Sequence, residues 1–117
     1  MTKKEFEEIF KKLNISYNEG IQNIDKNNSS LRVVFFDYVW EPLNASGKNY
    51  NTKVTYQVSF FSYEPRNADL LKLKKELSSK NINPTIYHEY IKDKREFHSY
   101  FSVEVLENIW WVIWWIN

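Results

Sequence analysis

Few side chains in this chain are suited to chemistry, and most of those that are lie in its second half. The two histidines, His88 and His98, fall in runs that read as neighbouring strands. If they face each other, Glu89 or Glu104 can serve as third member of a metal or acid–base set. The plainer reading puts both on the solvent side of a hairpin, and Ser99 beside His98 does not make a triad. Lys72, Lys74, Lys75 and Lys80 could form a stripe for nucleic acid, but Asp69 and Glu76 are interleaved and no aromatic platform accompanies them, so a solvated helix face is expected. Asp93-Lys94-Arg95-Glu96 reads as a mixed-charge turn. With Gly20 and Gly47 the only glycines, a phosphate-cradling glycine loop is excluded, and the absence of cysteine excludes disulfides and thiolate metal sites. The expectation is a non-enzyme with no catalytic, cofactor-binding or metal residues.

The elements around these residues can be read from hydrophobic period. Val54, Tyr56, Val58 and Phe60 alternate along Lys53–Tyr63. Phe97, Phe101, Val103 and Val105 fall on one face of Phe97–Leu106, opposite His98, Ser102 and Glu104. Between these strands Asn67 is placed to cap a helix over 67–80 whose Leu70, Leu73, Leu77 and, across the face, Leu71 recur at helical spacing. Thr2 with Glu5 has the pattern of a capping box, and Phe6, Ile9, Phe10 and Leu13 continue it into a helix over 3–14 that Asn14 stops. From Ile15 to Ser30 the chain reads as a long polar loop pinned by Tyr17, Ile21 and Ile24. Leu31–Trp40 is a strand with Val33, Phe35 and Asp37 on one side and Val34, Phe36 and Tyr38 on the other, apolar enough on both to be central or covered by another subunit. Pro42–Thr52 reads as a turn-rich tip loop, and Pro84 restarts a strand in which Ile86 and Tyr90 share a face with His88. The predicted fold is α/β, of the α+β kind: a single mixed, mainly antiparallel four-stranded sheet with helices on one side.

At 117 residues the chain fits one domain, over 1–108, followed by a Trp-rich apolar segment over 109–117. Sixteen basic against fifteen acidic residues leave a net charge of +1, so no global field recruits nucleic acid or an anionic membrane. The start has no apolar signal run, and cytoplasmic synthesis is expected. The segment Ile109-Trp110-Trp111-Val112-Ile113-Trp114-Trp115-Ile116 has no wet side at either period. It is far short of the roughly 20 residues of a membrane helix, so burial against its own domain, a sister subunit or another protein is expected. Tyr17, Trp40 and Tyr50 flank or occupy irregular connections, where aromatics either anchor interfaces or cap the core.

The order of parts resembles the small tail-terminator, or tail-completion, proteins of long-tailed bacteriophages and prophages. The resemblance covers roughly residues 3–107 and rests on Leu13-Asn14, the strand Val33-Val34-Phe35-Phe36-Asp37-Tyr38, the loop Ala45-Ser46-Gly47-Lys48-Asn49-Tyr50, the strand Tyr56–Ser62, the Leu-rich helix, Tyr87-His88-Glu89 and Tyr100-Phe101-Ser102-Val103. It implies a virion protein, assembled in the host cytoplasm, that forms a hexameric ring on the tail tube, ends tube polymerisation and joins the tail to the head-to-tail connector or stopper protein. Genomic DNA would pass through the ring without sequence-specific contact, and no membrane or cofactor is implied. The expected interface residues are Trp40, Lys48 and Tyr50 at the tip loop and Trp110, Trp111, Trp114 and Trp115 in the tail. Two other readings remain: a neck or stopper protein, against which the Leu-rich helix argues, and a protein-binding module such as an immunity protein or antitoxin.

Overall fold

The computed structural model describes residues 1–20, 32–45 and 48–107. The first helix, α1 (Lys3–Lys12), starts where the capping box places it. Thr2 Oγ1 accepts from the Glu5 amide at 3.2 Å, and the Glu5 carboxylate accepts from the Thr2 amide at 3.3 Å. It ends two residues before Asn14, whose φ of +57° is the left-handed conformation that asparagine tolerates and a helix does not. The second helix, α2 (Ala68–Ser79), is capped by Asn67, whose side chain accepts from the Asp69 amide.

The strands are β1 (Tyr17–Glu19), β2 (Arg32–Ala45), β3 (Lys48–Ser62), β4 (Tyr87–Ile91) and β5 (Glu96–Glu107), in the spatial order β1-β2-β3-β5-β4. All pairs are antiparallel except β1 with β2. The sheet therefore has five strands rather than four, because part of the expected loop after Ile15 pairs as β1. Three residues are too few to show a period in sequence. The tip also differs from expectation. Pairing between β2 and β3 runs through Pro42↔Thr52 to Ala45↔Lys48, which makes Pro42–Thr52 part of a long ribbon rather than a loop. Proline is tolerated there because no described strand adjoins the other side of β2 at that point.

Both helices pack on one face of the sheet. Phe6, Ile9 and Phe10 from α1 and Leu70, Leu73 and Leu77 from α2 meet Val33, Phe35, Val54, Tyr56, Val58, Phe60, Phe101, Val103 and Val105. An aromatic nest lies at the centre. Phe6 meets Phe10 and Phe35 edge-on at 5.0 and 5.2 Å, and Phe35 meets Tyr56 edge-on at 5.1 Å, the arrangement the ring quadrupole favours. The opposite face, bearing Val34, Phe36, Gln57, Ser59, Phe61, His98, Tyr100 and Ser102, carries no helix among the described residues.

Candidate interaction surfaces

The histidines are kept apart by strand register. His88 is paired with Ser99, which is buried under the helices, so His88 points to the helix side and its Nδ1 lies 2.7 Å from Ser99 Oγ. Glu89 is paired with His98 on the open face, with His98 Nδ1 2.8 Å from Glu89 Oε1. The imidazole of His98 stacks flat on Phe61 at 4.8 Å and leans on Tyr100 at 5.0 Å. Its Nε2 is buried with no partner among the described residues. The two rings thus sit on opposite sides of one sheet and cannot share a ligand, nor do both face solvent on one side. Of the two candidate carboxylates, Glu89 pairs with His98, while Glu104 lies nearer the ribbon, 3.8 Å from Lys53. No group of three or more His, Cys, Asp or Glu able to hold a metal is found among the described residues.

The lysine set divides in the structure, although the sequence pattern places all four on one solvated face. Lys72, Lys74 and Lys75 stand on the outer side of α2, around Leu71, which is 53% exposed rather than part of the core. Lys80 has turned back to Glu5 of α1 at 3.6 Å, and Glu76 is engaged by Lys12 at 3.0 Å, which ties the two helices together. The outer side of α2 lines an open hollow with Leu71, Lys74, Lys75, Ser78 and Ser79.

Trp40 is displayed by a device that period alone does not show. The register between β2 and β3 shifts between Asp37 and Val39, a bulge with Tyr38 as the extra residue. Ahead of it Asp37 pairs with Tyr56 on the helix side; after it Trp40, paired with Val54, also comes to the helix side. Trp40 Nε1 donates to Asp37 Oδ2 at 2.7 Å across the bulge, which holds the indole while it stays 58% exposed. Tyr38 beside it is 66% exposed, and Phe36, Val39 and Leu43 add exposed apolar surface along the same strand.

No family model, curated protein or solved structure matches this chain. Of the expected interface residues, Trp40 is exposed and held by Asp37. Lys48 and Tyr50 are in β3, where only the backbone is described, and Trp110, Trp111, Trp114 and Trp115 lie outside the described residues.

The carboxylates near Trp40 form a distinct electrostatic region. Burial works against the charge on Lys3, but the hydrogen bond from its Nζ to Glu19 and the charges of Glu19, Glu107 and Glu7 outweigh it, and its pKa is raised. Tyr56 is pushed far above the usual phenol range, by burial first, then by its hydrogen bond to Glu107 at 2.9 Å and the charges of Glu107, Asp37 and Glu19. Three carboxylates, Glu7, Glu19 and Glu107, thus surround the Lys3 ammonium, and Asp37 joins Glu19 and Glu107 around the Tyr56 hydroxyl. Sequence reasoning missed this group because its members come from α1, β1, β2 and β5.

Proposed function

We propose that this chain is a structural subunit of a phage tail-terminator ring, which caps the tail tube, stops its growth and joins it to the head connector. The observation that supports this reading best is the outer side of β2. Strand β1 pairs only with Val33–Phe35, and over Phe36–Trp40 no described strand lies on the outer edge of β2. Phe36, Tyr38, Val39 and Trp40 are exposed along that stretch. An edge of this length with large apolar side chains invites association unless a partner covers it. A ring subunit has such a partner in its neighbour, with the tube protein and connector on the two ring faces. The order of helices and strands and the near-neutral net charge suit the same role, as does the resemblance in sequence pattern.

The test is the solution mass of the purified full chain by light scattering, alongside a version cut after Asn108. A hexamer, or a mass that climbs with concentration towards one, is the expected result, and its loss on truncation assigns the Trp-rich segment to the subunit contact. A full chain that stays monomeric and forms a tight one-to-one complex with a protein partner favours the binding-module reading instead.

A further inference from the structure

Two described surfaces of this molecule carry opposite charge, and each has exposed apolar residues within or beside it. On the outer side of α2, the cations of Lys72, Lys74 and Lys75 surround Leu71 and an open hollow. None of these lysines forms an ion pair with another described residue, unlike Lys80, which reaches Glu5 of α1, and Lys12 of α1, which reaches Glu76. At the other surface, exposed Trp40 is held by Asp37, which shares the surroundings of the Tyr56 hydroxyl with Glu19 and Glu107, and Glu7 lies with the same two glutamates about Lys3. Lys3 sets its charge against Glu19, Glu107 and Glu7 there. With the whole chain at +1, the two surfaces nearly cancel, as a subunit needs if it offers one to each neighbour.

We infer that these two surfaces are the mating halves of one contact: the outer face of α2 in one copy of the chain receives the Trp40 surface of the next. The indole of Trp40 lies over Leu71 and the hollow beside it, while the carboxylates beside the indole face the three lysines. The contact is heterologous, one patch meeting a different patch, and a heterologous contact generates a closed ring when its rotation closes. This inference rests on the ring reading and specifies which surfaces form the ring. The other class of occupant for a basic helix face is nucleic acid, and the absence of an accompanying aromatic platform on α2 disfavours it.

Charge reversal tests the contact directly. In one variant Lys74→Glu and Lys75→Glu are combined, and in a second Asp37→Lys and Glu7→Lys. Each alone is expected to lower the assembled mass about sixfold, to the 14.2 kDa monomer, with its far-ultraviolet circular dichroism unchanged. Mixed one to one, the two variants restore assembly, because every contact then joins a negative surface to a positive one. Wild-type rings that persist after the Lys74/Lys75 reversal overturn this contact and leave the ring reading standing. So does a reversal that removes binding to a short DNA duplex while leaving the rings intact, which assigns the face to nucleic acid. A wild-type chain that remains monomeric at millimolar concentration overturns the ring reading and the contact with it.

Discussion

The two faces of the sheet are built from the same strands, yet they have opposite fates. Phe35 and Phe36 are neighbours in β2; the first is fully buried beneath α1, the second is 43% exposed on the open face. The same alternation separates Tyr56 from Gln57 and Phe101 from Tyr100. On the helix side, aromatic rings pack both edge to face and stacked in a closed nest of Phe6, Phe10, Tyr17, Phe35 and Tyr56. On the open side they stack in a shallow row, with Phe61, His98, Tyr100 and Tyr87 at centroid spacings of 4.8, 5.0 and 5.5 Å. Aromatic content alone therefore does not tell core from interface. What separates them is whether a helix can reach the face, and both helices are committed to one side.

The largest expected effect breaks this comparison if it is wrong. Phe35→Ala leaves a cavity in the nest and is expected to cost about 3–5 kcal/mol, whereas Phe36→Ala removes a half-exposed ring and costs under about 1 kcal/mol. Urea titration of both variants measures the difference, and similar losses would mean that the open face is as much a core as the covered one.

A smaller effect sharpens the comparison at the edge of the core. Tyr56 is buried on the helix side, but its hydroxyl reaches Glu107 at the end of β5. Tyr56→Phe is expected to cost about 1–2 kcal/mol, because it removes the hydrogen bond and leaves the carboxylate without that donor. The variant should also change the alkaline response. With Tyr56 and Lys3 both raised, the folded chain keeps protons that the unfolded chain releases near pH 10. The unfolded state then binds fewer protons than the folded one, so stability is complete below about pH 10 and falls as pH rises further, by at most about 1.4 kcal/mol per unit for each group. Denaturant midpoints measured from pH 8 to 11 should fall less steeply in Tyr56→Phe. An unchanged slope would detach the phenol from that limb.

The smallest effect concerns the helix that closes the covered face. Thr2→Ala removes the capping box of α1 and is expected to cost about 1 kcal/mol, visible as a modest drop in thermal midpoint with the assembled mass unchanged. A loss of assembly at equal stability would show that the start of α1 belongs to an interface as well as to the core.

Much of the covered face was legible from residue types. The Thr2–Glu5 box, Asn14 as a stop, Asn67 as a cap and the period-two runs around Tyr56 and Val103 each specify local geometry through their own backbone chemistry, and helix and strand bounds fall within a few residues of those expected. The ribbon was less legible. Pro42, Asn44 and Asn51 carry turn chemistry, yet long-range pairing overrides it and leaves only residues 46 and 47 between the strands. The histidines show another limit. Their spacing in sequence is compatible with one face or two, and only the register of β4 on β5 decides between them.

By itself the sequence determined the class of the fold, most of the apolar stripe of each helix and the inward residues of β3 and β5, since these follow from periods of 3.6 and 2 and from side chains that bond to their own backbone. Tertiary structure alone decided the parallel pairing of β1, the bulge that turns Trp40 toward the helix side, the separation of His88 from His98, and the gathering of Glu7, Glu19 and Glu107 around Lys3, with Asp37 beside the last two at Tyr56. Each of these depends on which distant backbone or charge lies alongside. That is settled by the free energy of packing the whole sheet, not by any local preference.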